Sequence, residues 1–285
     1  TDGNIFISDD SLKEPVTTIG SLAFYEAKNF SGNLIIGAGV KTIGERAFQY
    51  LGNSVGQAGR LEVGECTEII GNRAFERAKF TGPLIIEDSV KSIGDNAFGY
   101  CTEFQSLYLG NSLETIGDGA FQWTEFYGDL FIPYSVKTIG QFSFLNCDNF
   151  DSINIESGSL ETVAPSAFVS CDGFKSGILD FGNYCSSIGA YAFNGWSSFD
   201  GKLIFPTNEN YTEIEQRTFF GWENFTSDLE IPSNVKIIKE KAFQSMGQLT
   251  TCGELKFNEG LERIDSFAFD NTHFLGNIIL PDSVT

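Results

Sequence analysis

Apolar residues recur along the chain in a fixed arrangement. An aliphatic residue, four intervening residues and an anchor phenylalanine occur together eleven times, at intervals of 23 to 27 residues. From the second copy onward an aliphatic-x-aliphatic pair comes before the anchor, and this period-two alternation predicts a short strand with one buried face. The eleven copies are Ile19/Phe24, Ile43/Phe48, Ile70/Phe75, Ile93/Phe98, Ile116/Phe121, Ile139/Phe144, Val163/Phe168, Ile188/Phe193, Ile214/Phe219, Ile238/Phe243 and Ile264/Phe269.

The rest of each copy predicts how the chain turns. A turn rich in Gly, Pro, Asn or Ser follows the first strand, and a second extended piece such as 136–139 then leads into a tight turn that carries Ala and Phe inward. We expect Gly94 and its equivalents to permit that turn. An internal repeat of this length indicates a solenoid, with equivalent residues stacked about 4.8 Å apart and a rod about 55 Å long.

Phenylalanine is the most unusual feature of the composition, with 28 residues. Eleven of them are the anchors, and nine more recur five or six residues after an anchor. Stacked aromatic rings add to the free energy of burial, so we predict two phenylalanine ladders as the spine of the core. The second ladder consists of Phe30, Phe80, Phe104, Phe126, Phe150, Phe174, Phe199, Phe225 and Phe274.

A row of charges alternates in sign from copy to copy. It lies one residue after the first aliphatic residue of the second extended piece, at Lys41, Glu68, Lys91, Glu114, Lys137, Glu161, Ser186, Thr212, Lys236 and Glu262. If these positions are neighbours, each lysine lies between glutamates, and a slip by one coil brings like charges together. The row is therefore predicted to fix the register.

Composition and charge narrow the choice of partners. The 285 residues are 41% hydrophobic and 20% charged, which is typical of a chain that folds throughout. The net charge of −20 repels phosphate backbones and anionic headgroups, so neither nucleic acid nor a membrane surface is expected as a partner. The sequence contains no apolar run of about 18 residues, so membrane insertion is not expected in this segment.

Candidate chemistry is sparse, and we expect no catalytic residue, no cofactor and no metal site. The single histidine, His273, limits acid–base, nucleophilic and zinc hypotheses, because most of these use imidazole. Acidic turn residues such as Asp95 and Asp118 have the oxygen ligands of calcium, but the same slot also holds Ser21 and Ala190. Ordinary solvated turns are the favoured interpretation.

Three of the six cysteines share one position in the repeat. Cys101, Cys147 and Cys171 lie three residues after an anchor, a slot that elsewhere holds Ala, Trp or Met. A slot that accepts such residues is a packing slot, which predicts buried free thiols. Cys147 and Cys171 lie on adjacent coils and are the one pair for which a disulfide is considered.

The middle residue of each first strand is expected to point outward. Seven of these twelve residues are apolar, and an exposed apolar row marks a partner site. Ile35, Ile85, Tyr108, Phe131 and Ile204 are the candidate partner-binding residues. The alternatives are that β-propensity selects apolar residues here or that another part of a longer protein covers them. The row is Phe6, Ile35, Glu62, Ile85, Tyr108, Phe131, Asn154, Asp180, Ile204, Glu230, Lys256 and Ile279.

The repeats "FTGPLIIEDSVKSIGDNAFGYC" (80–101) and "FYGDLFIPYSVKTIGQFSFLNC" (126–147) resemble the BspA-like leucine-rich repeats of the Treponema type. The resemblance implies a right-handed leucine-rich-repeat solenoid of about 11–12 coils of 23–27 residues. Its elements are mainly short parallel β-strands joined by short or helical turns. We expect residues 1–285 to form a single solenoid domain and, because a further coil begins near Leu280, to be part of a longer array.

The resemblance also implies an extracellular or cell-surface, secreted protein that binds host extracellular matrix or another surface protein. We therefore expect a non-catalytic protein-binding or adhesion module that presents an extended solenoid face. The alternatives are a structural spacer in a larger surface protein and a carbohydrate-binding module that holds glycans through exposed aromatics such as Tyr108 and Phe131. An enzyme is the least favoured interpretation.

Overall fold

Eleven stacked coils make up the part of the chain that the computed structural model describes, residues 3–7, 16–53, 59–155 and 158–284. Each coil, named below by its anchor phenylalanine, contributes a first strand and a two-residue second strand. The first strands are β1 (Ile5–Ile7), β3 (Leu34–Ile36), β5 (Leu61–Glu62), β7 (Gly82–Ile86), β9 (Phe104–Leu109), β11 (Gly128–Ile132), β13 (Phe150–Ile155), β15 (Ser176–Asp180), β17 (Lys202–Ile204), β19 (Leu229–Ile231) and β21 (Leu255–Phe257).

The second strands form the more continuous of the two stacks. They are β2 (Thr18–Ile19), β4 (Thr42–Ile43), β6 (Ile69–Ile70), β8 (Ser92–Ile93), β10 (Thr115–Ile116), β12 (Thr138–Ile139), β14 (Thr162–Val163), β16 (Ser187–Ile188), β18 (Glu213–Ile214), β20 (Ile237–Ile238) and β22 (Arg263–Ile264). An eight-stranded sheet runs from β2 to β16, and β18, β20 and β22 form another.

The first strands form four shorter sheets, β1-β3-β5, β7-β9, β11-β13-β15-β17 and β19-β21. Every strand pair is parallel, and within each sheet of second strands the anchor aliphatic residue lies beside that of the next coil, as Ile93 beside Ile116. The predicted parallel β-solenoid is confirmed.

The expectation of helical turns is wrong, since the described residues contain no helix. In every coil the third and seventh residues after the anchor aliphatic residue have positive φ, for example Asn96 at 55° and Tyr100 at 62°. The N–H groups of Phe98 and Tyr100 donate to the carbonyls of Ala120 and Gln122 in the next coil, both at 2.8 Å. Bonds between coils thus replace the bonds that a helix forms four residues back. We call this third stack the turn ladder.

The anchor phenylalanines form one unbroken column in the core. All ten neighbouring pairs from Phe24 to Phe269 are stacked, with ring centroids 4.8 to 5.8 Å apart. The anchors from Phe48 to Phe243 are buried. The predicted first ladder is confirmed.

In the second ladder, successive phenylalanine rings contact each other directly over only part of its length. From Phe80 to Phe174 successive rings lie 5.6 to 6.3 Å apart. Beyond Phe174 the indoles of Trp196 and Trp222 pack between the phenylalanines, 4.8 Å from Phe174 and Phe199 respectively. Each indole N–H donates to the carbonyl of an anchor in the preceding coil at 2.8 Å, so the larger side chain replaces the direct contact.

Glycine recurs at the slot of Gly94 for a different reason from the one expected. Its φ lies outside the left-handed region, whereas a Cβ at this position comes within 2.6 Å of the backbone nitrogen of Asn72 in the preceding coil. Gly117 is equally close to Asp95, at 2.7 Å from its nitrogen. These glycines permit the close approach of two coils rather than a tight turn.

The cysteines are all free, and five of the six are buried. The thiols of Cys147 and Cys171 donate to the carbonyls of Phe121 and Phe144 in the preceding coils, at 3.2 and 2.9 Å, so no disulfide joins this pair. Burial raises the pKa of Cys101 to about 12, which keeps that thiol protonated at neutral pH. Cys66 is the exposed thiol.

Candidate partner-binding surface

The outward side of the first strands, which we call the strand face, carries the predicted binding residues. Ile85, Tyr108 and Phe131 are 44, 50 and 55% exposed, which is unusual for large apolar side chains. Ile35 and Ile204 are partly buried, so they contribute less of their surface. All five point away from the core, because the flanking residues of each strand, such as Leu84 and Ile86, are buried.

Strand register brings the central members of this row together. Ile85 lies directly beside Tyr108 in the β7–β9 pair, and Phe131 lies beside Asn154 in the β11–β13 pair. Acidic or basic residues occupy the row further out, with Glu62 in β5 and Lys202 in β17. The row is therefore apolar in the middle coils, and Phe6 and Ile279, 64 and 77% exposed, add apolar surface toward its two ends.

The structure corrects the row at the Phe193 coil. Asn154 pairs with Ile178, which is 46% exposed, and not with Asp180, which pairs with Ile204. Gly177 makes the shift possible, because its φ of 141° suits glycine and a Cβ there overlaps the carbonyl of Ile153. The predicted inward pair Leu179/Phe181 is nevertheless buried, so the shift changes only which outward residue lies beside Asn154.

Tyr127 is an exposed aromatic residue next to the strand face that the middle-residue rule misses. It comes directly before β11 and is 53% exposed. Gly128 has a φ of 85° and the register shifts between Gly128 and Asp129, so strand alternation does not fix the side to which the Tyr127 ring points.

An acidic groove of about 550 Å³ adjoins Ile85. Glu62, Glu65 and Glu87 line it together with Arg60 and Ile85. Burial raises the pKa of Glu87, and the nearby carboxylates of Glu65 and Asp88 raise it further. A cationic group in this groove relieves that repulsion, so the groove favours lysine or arginine side chains of a partner.

The predicted charge row is present as ion pairs between coils. The ammonium groups of Lys91 and Lys137 donate to the carboxylates of Glu68 and Glu114, both at 2.7 Å. Each hydrogen bond lowers the pKa of the carboxyl and raises that of the lysine. These side chains stay largely exposed, so the row contributes more to register than to stability.

The acidic turn residues have structural partners. A carboxylate oxygen of Asp95 accepts the backbone N–H of Asp118 at 3.0 Å, and Asp118 accepts that of Gln141 at 2.7 Å. A search of the described residues finds no group of three His, Cys, Asp or Glu side chains suited to hold a metal ion. The same part of the chain contains no helix with the length and apolar character needed to cross a membrane.

A family model for the BspA type leucine-rich repeat region matches residues 4–55, 68–179 and 171–285, with six copies. The chain belongs to this BspA-type leucine-rich-repeat family. Leucine-rich-repeat solenoids of this family are in general binding or structural proteins rather than enzymes. The resemblance read from the repeat motifs is therefore confirmed.

Two solved structures of bacterial leucine-rich-repeat proteins are similar to this chain. The BspA-type chain is similar to a leucine-rich repeat protein from Eubacterium ventriosum at 18% identity, with a TM-score of 0.50 over 98% of this chain and 79% of that one. A leucine-rich cell surface protein from Faecalibacterium prausnitzii is 21% identical, with a TM-score of 0.47 over 96% of this chain and 79% of that one. A search of curated protein sequences finds no match.

Proposed function

We propose that this chain is a non-catalytic, cell-surface protein-binding module whose strand face docks a protein of the extracellular matrix or of another cell surface. The exposed row of Ile85, Tyr108, Phe131 and Ile178 carries the proposal. Membership of the BspA-type family supports a protein-interaction role, and the cell-surface location is what the resemblance to that family implies.

Charge indicates the chemistry of the partner. The chain has a net charge of −20, and Glu62 and Glu87 line the groove beside Ile85. A partner with an apolar patch rimmed by lysine and arginine matches both features, because complementary potentials speed association and apolar contacts hold the complex. Association with such a partner is expected to slow as ionic strength rises.

The test is binding of the purified chain to immobilised matrix proteins and glycans, compared with an Ile85→Ser/Phe131→Ser variant. The variant loses two apolar side chains that the complex is expected to bury, which should weaken binding about a hundredfold or more. The matched control is Tyr184→Ser/Leu249→Ser, which removes two apolar side chains that are both 65% exposed and lie outside the strand face. We expect this control to bind like the unmodified chain.

Each other outcome contradicts the proposal. If both double variants bind as tightly as the unmodified chain, the binding site lies on another surface. Capture of a glycan but of no protein favours the carbohydrate-binding alternative, and absence of any binding favours the structural spacer.

A further inference from the structure

Three coils of this solenoid have a shortened turn. In most coils that carry a second phenylalanine it follows the anchor by six residues, but in the Phe75, Phe121 and Phe269 coils it follows by five. The fourth residue after the anchor is Lys79 in the Phe75 coil and Glu125 in the Phe121 coil. These two coils therefore offer an internal comparison of one site with opposite charges.

In the Phe75 coil, the ammonium group of Lys79 occupies the space between the shortened turn and the turn of the next coil. Lys79 Nζ donates to Thr102 Oγ1 at 2.7 Å and lies 3.2 Å from Glu103 Oε1. Both partners belong to the turn of the next coil. The lysine side chain is only 22% exposed, so this position is an occupied ammonium site in the native fold.

In the Phe121 coil the equivalent gap is open. A cavity of about 320 Å³ is lined there by residues of three successive turns, and we call it the notch. Glu125 replaces the lysine, and Asp148 and Asn149 stand where Thr102 and Glu103 stand beside Lys79. The notch residues are Tyr100, Thr102, Trp123, Thr124, Glu125, Asn146, Asp148 and Asn149.

The carboxylates of the notch lack a cation of their own. Glu125 and Asp148 are both exposed, and neither makes an ion pair with a described lysine or arginine. Asp148 accepts one backbone hydrogen bond, from Asp172 at 3.3 Å. Partial desolvation and the nearby carboxylate of Asp172 raise the pKa of Asp148.

An aromatic wall borders the same cavity. The rings of Tyr100 and Trp123 are stacked with centroids 6.4 Å apart, and the guanidinium of Arg77 lies 4.5 Å from the Tyr100 ring centroid. The next residue in this row is Asn146, which offers no ring to the other side of Trp123. Trp123 is 46% exposed, and an indole face is the strongest aromatic partner for a cation.

We propose that the notch binds the ammonium group of a lysine side chain from a partner protein, in the way that the Phe75 coil binds its own Lys79. Glu125 and Asp148 supply the negative charge, Asn149 supplies a polar contact, and Trp123 packs against the aliphatic stem and the cation. The notch belongs to the turn ladder and not to the strand face, so this inference is independent of the proposed function.

The test is a nuclear magnetic resonance titration of the ¹⁵N-labelled chain with N-acetyl-lysine methylamide. The indole N–H of Trp123 is the reporter, because Trp196 and Trp222 are fully buried and donate to backbone carbonyls. We expect a saturable shift of the Trp123 signal with the lysine probe. N-acetyl-norleucine methylamide, which lacks only the ammonium group, is expected to bind at least about tenfold more weakly than the lysine probe.

Variants separate this site from a general attraction of cations to an acidic protein. Glu125→Gln and Asp148→Asn are each expected to weaken the lysine probe about threefold to tenfold. Glu125→Lys recreates the Lys79 arrangement, so we expect it to keep the fold by circular dichroism and to abolish probe binding. Glu223→Gln, a substitution of a carboxylate outside the notch, is expected to leave the shift unchanged.

Several results overturn the proposal. They are an equal response to the lysine and norleucine probes, full binding by Glu125→Lys, and no saturable shift at the solubility limit of the lysine probe. A shift of Trp123 with methyl β-glucoside but not with the lysine probe assigns the notch to sugars instead. None of these results bears on whether Ile85 and Phe131 bind protein.

Discussion

At the scale of single residues, each anchor phenylalanine packs together with the glycine that often lies four residues before it. Phe98 stacks 5.1 Å from Phe75 and 5.6 Å from Phe121, so it fills space that both neighbours share. Gly94 allows the coils to approach closely enough for this contact, because a Cβ there meets the backbone of Asn72. Glycine is not the only residue that permits this approach, since Ala164 takes the same slot where Phe144 and Phe168 stack 4.8 Å apart.

Phe98→Ala is expected to lower the free energy of unfolding by about 3–5 kcal/mol, since it removes a fully buried ring and leaves a cavity between two others. Phe131→Ala is the matched control, because it makes the same chemical change at a side chain that is 55% exposed, and we expect less than about 0.5 kcal/mol. Chemical denaturation measures both. Similar losses for the two variants contradict the assignment of core and surface.

Residue patterns predicted the phenylalanine ladder but not the cause of the glycine. The anchor spacing is visible because one large apolar residue recurs at one slot in every coil. Gly94 was misassigned because a sequence does not distinguish a glycine needed for positive φ from one needed for close packing. The positions with positive φ in fact hold residues such as Asn96, Tyr100 and Trp123, which hydrogen bonds to the next coil hold in place.

At the scale of the element, each coil has three segments that bond to its neighbours: a first strand, a second strand and a stretch of the turn ladder. The charge row adds register to the second strands, where the backbone pairing is only two residues long. Lys91 lies between Glu68 and Glu114 and donates a hydrogen bond to Glu68. A coil shifted by one position places like charges together.

Lys91→Glu is expected to lower the thermal unfolding midpoint more than Lys91→Met, because it adds repulsion to the loss of attraction. The pKa of Glu68 is lowered in the folded state, so the attraction is complete above the ordinary glutamate pKa and is lost as the pH falls through the lowered value. Differential scanning calorimetry at neutral pH, in acid and in high salt measures this. A gap between the variants that persists in acid and in salt contradicts an electrostatic cause.

The helical turn was the wrong prediction at this scale. A turn of this length with apolar residues at the anchor and three residues later is compatible with a helical turn, so the period alone does not exclude one. Left-handed residues at two positions per coil prevent helix formation. Their N–H groups find acceptors only in the neighbouring coil, which a sequence cannot show for one repeat taken alone.

At the scale of the whole molecule, the stack places the strand-face residues of the middle coils side by side. The parallel solenoid was predictable because eleven repeats over-determine it. The exact outward row was not, because Gly177 lets Ile178 lie beside Asn154 and Lys202, and the repeat spacing does not show that register. The notch was not predicted either: the shorter turn of the Phe121 coil can be counted in the sequence, but the cavity depends on how three successive turns lie together in space.

The most direct test of the strand face is hydroxyl-radical footprinting of the chain alone and bound to the protein that it captures most tightly. Oxidation of Tyr108 and Phe131 is expected to fall on binding, because both rings are about half exposed in the free chain. Tyr184, exposed outside the strand face, is the internal reference and should be oxidised equally in both states. Unchanged oxidation of Tyr108 and Phe131, with protection elsewhere, contradicts the central claim that the strand face binds protein.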